Sequence, residues 1–533
     1  SGSNLYVNDM EIDNDYIYIV GSFTGTVDFD FTSNVDNRTA VDEDAFIAKY
    51  VMETRQLVWV TTTNSAGNQV AKKVVPTSTV YTPRLNVIIM NNSNSFSVKS
   101  VDFFTGNIFA TSQTYTSTGS ISINDFVKGD GIDLFIAGSF TGSLNTESIT
   151  VNSSGGTDAF CMLIGNSSDT SYNVGWTRAY GGSGNDTANG IAYYSGNNRL
   201  FITGGFEQTA DFNKYTNPNV LTLTSNGDKD IFVVDVSVST GLPFNSSNLI
   251  QFGSNELDEG TSIAISNSSL YLNGIFKGTI DFNPDSGVNY VFSNGTTSSI
   301  FNAKYNLTPQ LSYAWCHFEG GGSTLEYVGD FKVSEAQLLV YYVHNSPGPG
   351  TIGSYVLARN INTGFTPSTF FGSFHYSAFN SLMRSLELNP NGNILISGDF
   401  SGTIDVDYNN SNQVPVTSNP GISGIIIKNS LCNLSASVSG VNVSPNPVCS
   451  GNLVTVSLDS NSRLNDNAEY KWYDASSFVP VLLGTGSSIN LNPTVTKNYF
   501  VRGEGGCVAN GSNRNFTITV NPLPDATLTI TGN

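Results

Sequence analysis

Short runs rich in β-branched and aromatic residues, such as YIYIV, LFIAG and NVIIM, recur along most of the chain and are bounded by Gly, Asn and Asp. Runs of this length and composition predict strands, and no sustained 3.6-residue apolar period competes with them. One of these runs belongs to a longer phrase. It reads YIVGSFTGTVDFD from Tyr18 to Asp30, LFIAGSFTGSLN from Leu134 to Asn145 and LFITGGFEQTADFN from Leu200 to Asn213. It returns as LYLNGIFKGTIDFN from Leu270 to Asn283 and as ILISGDFSGTIDVD from Ile394 to Asp407. The internal glycines Gly21, Gly138, Gly204, Gly274 and Gly398 are separated by 117, 66, 70 and 124 residues, so the first and last gaps each have room for one worn copy.

A second phrase tests that count. DAFIAK places Phe46, and the matching position falls on Phe96, Phe160, Phe232, Phe301, Val356 and Ile425, seven positions over 379 residues. A step of about 63 residues suits a four-stranded antiparallel blade with its turns. The fold expected is therefore all-β: a seven-bladed β-propeller over residues 1–430, in which stacking covers blade faces that no single blade can bury. A third landmark is an aromatic in the outer strand, at Trp59, Phe109, Trp176 and Trp315, read as sheet-interface packing rather than ligand stacking. Blade seven lacks such a strand. Either residues 431–440 supply it or a segment preceding Ser1 does, and 431–440 otherwise serve as a linker.

From about Ser437 the texture changes to VNVSPNPVCSGNLVTVSL, EYKWYD, KNYFVRGEGGC and NFTITVNPLP. Strands broken at short intervals by Pro, Asn and Gly suggest an immunoglobulin-like β-sandwich over 441–521. Cys449 and Cys507 bracket Trp472 in the order in which a core indole packs on an inter-sheet disulfide, the alternative being two buried thiols. Cys161, Cys316 and Cys432 are expected to be unpaired. Residues 522–533 read as the start of a further repeat domain, so the chain is expected to be a piece of something longer.

The G-S-F-x-G-T-x-D-F and D-A-F-I-A-K-Y phrases resemble the SBBP-type propeller repeats of secreted bacterial proteins, many from Bacteroidetes. The C-terminal module is similar to the Ig-like or PKD-like repeats of large surface proteins from the same group. The resemblance implies a secreted or outer-surface location, adhesion or gliding motility as the setting, and the type IX secretion machinery as a partner.

Composition narrows the function classes. Only 12% of residues are charged, about half the usual share, and 43 acids against 23 bases give a net charge of -20. Such a surface repels phosphate backbones and anionic membranes and leaves cations or neutral sugars as ligands. No run of 18 apolar residues predicts membrane insertion. Three histidines, no H-E-x-x-H, no G-x-S-x-G and no C-x-x-C leave zinc peptidase, hydrolase and thioredoxin-like readings without their motifs. The expectation is a non-enzymatic binding platform on an Ig-like stalk, for an extracellular glycan or surface protein. The alternatives are a structural spacer and a carbohydrate-active enzyme whose two acids come from distant blades. Converging channel acids with raised pKa would favour the enzyme; a channel of Gly, Ser and backbone would exclude it.

One metal candidate emerges. Acids follow the G-T turn at Asp28 and Asp30, Asp211, Asp281 and Asp405, and DFNPD supplies Asp281, Asn283 and Asp285 as oxygen ligands for calcium. The competing reading is that Asp and Asn cap turns at these positions.

Overall fold

The glycine phrases occupy the second strand of successive antiparallel meanders in the computed structural model of the chain. The structure describes residues 3–13, 15–78, 83–168, 171–214, 220–244, 249–284, 287–293, 298–307, 311–320, 327–334, 339–346, 353–365, 376–377, 381–389, 393–406, 415–418, 421–429, 438–459, 462, 468–476, 480–505 and 511–521. Among these there is no helix. Two units separate: residues 1–387 with 396–427, and 388–395 with 428–533.

In the first unit, the opening meander runs through Asn4–Asp13, Tyr16–Asp28, Asn37–Val51 and Leu57–Thr62, hydrogen-bonded in that order. Later meanders begin at Val70–Ser78, Ile121–Lys128, Thr187–Tyr194, Glu259–Ser266, Tyr327–Ser334 and Ser381–Leu388. Each leading strand from the first to the sixth lies beside the next, which sets the sheets radially around their leading edges, the layout of a β-propeller. A repeated backbone bond joins neighbours: Gln69 N–H to Glu43 O at 2.7 Å, Asp186 to Thr157 at 2.6 Å, and Asp258 to Lys229 at 2.8 Å. Leu5 N–H to Ile422 O at 2.9 Å repeats it between the last meander and the first, so the ring closes as it propagates. The segment expected to complete the last meander, 431–440, lies largely outside the described residues.

The two sequence phrases are cross-strand partners. Gly21 faces Phe46, Gly138 faces Phe160, Gly204 faces Phe232 and Gly274 faces Phe301. Each leading strand carries a bulge beside this point, between Val7 and Asp9, Ile123 and Asp125, Ala188 and Gly190, or Gly260 and Ser262. The bulged strand presses a carbonyl onto the glycine: a Cβ on Gly21 would lie 1.9 Å from Tyr6 O and 2.8 Å from the Phe46 ring. In the two worn copies the pair becomes Met90 with Phe96 and Val343 with Val356.

The tryptophans lock one meander to the next. Trp59, Trp176 and Trp315 are buried, and each donates its indole N–H to the following meander, to Phe103 O at 3.2 Å, Val238 O at 2.8 Å and Ile361 O at 3.2 Å. Each ring covers a turn glycine of left-handed backbone, Gly106, Gly241 or Gly364, where a Cβ would meet it at 2.6, 2.5 and 2.8 Å. Phe109 departs from this pattern. It is 46% exposed and lies under the Arg84 guanidinium at 4.9 Å. The register that sets Trp59 opposite Lys49, Trp176 opposite Leu163 and Trp315 opposite Lys304 puts Thr111, not Phe109, opposite Lys99.

In the second unit a three-stranded sheet (Val441–Ser444, Val454–Leu458, Ser488–Leu491) and a four-stranded sheet (Val481–Thr485, Ala468–Asp474, Lys497–Gly505, Arg514–Ile518) share one core of Val454, Val456, Trp472, Val501 and Ile518. Trp472 is fully buried and donates to Gly486 O at 2.8 Å. Cys449 stands apart from that indole. Val448 turns into the core, so by strand alternation the next side chain turns out, and Cys449 is an exposed free thiol. Cys507 lies outside the described residues, and the expected Cys449–Cys507 pairing has no counterpart at the described end. Cys161 and Cys316 are buried free thiols; Cys432 is outside the described residues.

Candidate functional site: a charged channel

The bulge that presses on each glycine also turns polar side chains toward the ring of leading strands. At the bulge, the Asn8 amide donates to Ala71 O, Asn124 to Ala188 O and Asn189 to Gly260 O, each at 2.9 Å and each reaching the next meander's leading strand. The following residue is an acid in three meanders. Asp9 accepts the Val74 N–H at 2.9 Å, Asp125 the Ile191 N–H at 2.9 Å and Asp330 the Leu386 N–H at 2.8 Å. Asn and Asp side chains at the bulges, paired in the first and third meanders, thus stitch neighbouring strands where the bulge has broken the ladder.

Around these acids stand Lys73, Lys332, Glu11 and Glu387. Lys73 Nζ lies 3.7 Å from Asp9, and Lys332 Nζ 2.7 Å from Glu387 Oε1. Burial raises the pKa of Asp9 and Asp125 against the opposing pull of Lys73. Glu11 is pushed well above the carboxylate range by burial and then by Glu387, and Glu387 is raised by burial against the pull of Lys332. Burial alone would lower the lysines, but the surrounding carboxylates outweigh it, Asp9 first for Lys73 and Glu387 first for Lys332, so both stay charged. These mutual effects bring groups from the first, second, third, sixth and last meanders to one charged neighbourhood. The chemistry available there is proton holding between Glu11 and Glu387 beside a fixed ammonium.

Sequence reasoning passed over these residues. The signal was a third phrase, YVNDM at Tyr6–Met10, SINDF at Ser122–Phe126 and YVGDF at Tyr327–Phe331, whose acids a strand reading leaves as ordinary turn-edge polars.

The calcium candidates divide differently. Asp281 Oδ1 accepts the N–H groups of Asn283 at 3.0 Å and Asn289 at 2.9 Å, while Asp285 lies outside the described residues. Asp28 Oδ1 does the same for Asp30 at 3.1 Å and Asp36 at 2.9 Å, and Asp211 for Asn213 at 2.8 Å. Recurrence of the acid therefore has a local cause, closure of the hairpin loop by a side-chain acceptor. Among the described residues no group of three or more His, Cys, Asp or Glu is placed to hold a metal.

No family model matches the chain, and no curated protein matches it. Solved structures do. The β-propeller domain of the Trilobed protease from Pyrococcus furiosus is 9% identical, with 76% of this chain and 97% of that chain covered and a TM-score of 0.35. Chaetomium thermophilum Sqt1, solved with the N-terminus of a ribosomal protein, is 10% identical with 74% and 94% covered and a TM-score of 0.40. A periplasmic gluconolactonase from Pseudomonas aeruginosa is 12% identical with 72% and 96% covered and a TM-score of 0.27.

Proposed function

We propose that the chain is a non-enzymatic extracellular binding module: a seven-bladed propeller of SBBP type followed by an Ig-like sandwich, part of a secreted or surface-anchored protein carried by the type IX machinery. The observation that supports this reading is the use made of the channel acids. Asp9, Asp125 and Asp330 each hold a backbone N–H of the neighbouring meander, which makes the channel a strut and leaves ligand contact to the loops and hairpins outside it. The test is a glycan array and whole-cell binding with the full 533-residue chain. Binding to neither sugars nor cells would reduce it to a spacer.

A second reading rests on the feature that favours an enzyme, channel acids that converge and are raised by burial. Glu11 and Glu387 share Lys332 and are both held toward protonation, the arrangement an acid catalyst needs. A carbohydrate-active enzyme built on this pair would release reducing ends from polysaccharide and lose that activity in Glu11→Gln and Glu387→Gln. Absence of turnover in the unmodified chain removes it.

A further inference from the structure

In the fifth meander the phrase continues into a separate hairpin, Thr279–Asp281 paired with Tyr290–Phe292. Thr279 faces Phe292, Ile280 faces Val291 and Asp281 faces Tyr290. Ile280 and Val291 are buried, so the opposite face points outward, and Tyr290 and Phe292 are 59% and 56% exposed on it. In three equivalent hairpins both positions are polar, and in the last meander Thr417 faces Thr403 while an aliphatic Pro415 faces Asp405. Asn37 and Thr39 face Asp28 and Thr26, Thr222 and Thr224 face Asp211 and Thr209, and Thr150 and Asn152 face Asn145 and Ser143. Thr–Thr contacts of 2.9 Å in the first and fourth meanders show what this face does by default: its hydroxyls satisfy one another. Replacing two such positions by exposed aromatics forfeits those contacts and gains no burial within the chain.

We propose that this face docks a neutral saccharide chain. It rests on the reading of the protein as an extracellular binding module and names its ligand class and place. Tyr290 and Phe292 are neighbours on one strand face, their Cα positions about 6.6 Å apart by strand rise, and offer an apolar strip for the C–H faces of successive sugar rings. The partner strand runs a polar strip alongside, with the Thr279 hydroxyl and the Asp281 carboxylate. Asp281 Oδ1 is occupied by two backbone N–H groups, which fixes the carboxylate and leaves Oδ2 as an acceptor for a sugar hydroxyl. Charge selects among sugars. Residues 279–292 contain no Lys or Arg and the chain carries a net charge of -20, so an anionic polysaccharide is repelled.

The experiment is affinity electrophoresis of the full chain in gels containing xylan, laminarin, mannan or, as the anionic probe, polygalacturonate. It compares the unmodified chain, Tyr290→Ala with Phe292→Ala, and Thr222→Ala with Thr224→Ala as the equivalent hairpin control. Retardation is expected on at least one neutral polymer, reduced tenfold or more by the aromatic double variant and unchanged by the threonine one. Both pairs are surface changes, and equal melting temperatures verify the fold. Retardation that survives loss of both aromatics overturns this site while leaving the binding-module reading standing. Retardation by polygalacturonate alone overturns the neutral-sugar assignment. No retardation on any polymer, with cell binding intact, overturns the ligand class.

Discussion

Asp186 and Asp258 close the same loop in successive meanders, and their environment makes a pH dependence of unusual direction. Asp186 accepts the N–H groups of Gly182 at 2.7 Å and Glu207 at 3.1 Å; Asp258 accepts those of Ser254 at 2.5 Å and Lys277 at 2.8 Å. Both are buried at 1% and 0% exposure, and burial outweighs the hydrogen bonds, raising them to about 6 and about 7. In the unfolded chain an aspartate titrates near 3.9, so between about pH 4 and pH 7 the folded protein binds protons that the unfolded chain does not. Stability is therefore greatest at the acid end of that window, falls as pH rises through it and levels off above the folded pKa. At 1.36 kcal/mol per unit the two groups contribute on the order of 3 and 4 kcal/mol to the decline. Asp186→Asn with Asp258→Asn removes the titration and keeps one of the two acceptor oxygens in each loop, at a pH-independent cost for the N–H left facing the amide. Melting temperatures by calorimetry from pH 4.5 to 8.5 should fall for the unmodified chain and fall less steeply for the double variant, which keeps the raised channel carboxylates. A profile that rises toward pH 8 in the unmodified chain, or parallel profiles for the two proteins, would refute the reasoning.

Other outcomes follow from the packing. Gly274→Ala would place a Cβ 2.2 Å from Glu259 O and 2.6 Å from the Phe301 ring, and should cost about 2–4 kcal/mol, read as a lowered melting temperature. Gly402→Ala, at φ +85° with open space around it, should cost only about 1 kcal/mol. Trp176→Phe leaves Val238 O without its indole donor and should destabilise by about 1–3 kcal/mol, whereas Phe109→Leu on the exposed rim should be within about 0.5 kcal/mol of neutral. Since Asp281 Oδ1 already closes its hairpin loop, chelator should leave the melting temperature unchanged; a reversible drop on chelation, restored by calcium, would reinstate a metal at DFNPD.

By itself the sequence determined the strands, their recurrence and their partners. Gly21 with Phe46 and Gly274 with Phe301 were legible as two recurring phrases because a pleated pair with one position closed to Cβ leaves the same mark in five of the seven repeats. The buried Trp472 was legible from its place between Cys449 and Cys507 in a run of short strands. The partner of each repeated residue across a meander boundary was not. Whether Trp59, Trp176 and Trp315 would be covered depended on the turn the next meander presented, and Phe109 fell at the rim because the pairing register puts Thr111 in the tryptophan's place. Nor could local pattern say that Cys449 faces away from the Trp472 core, since a one-residue change of register reverses a strand's faces. The charged channel is the clearest case. Asp9, Lys73, Asp125, Asp330, Lys332 and Glu387 are scattered over the ring's length and meet only in the folded ring, where burial raises Asp9, Asp125 and Glu387 while their carboxylates hold Lys73 and Lys332 charged.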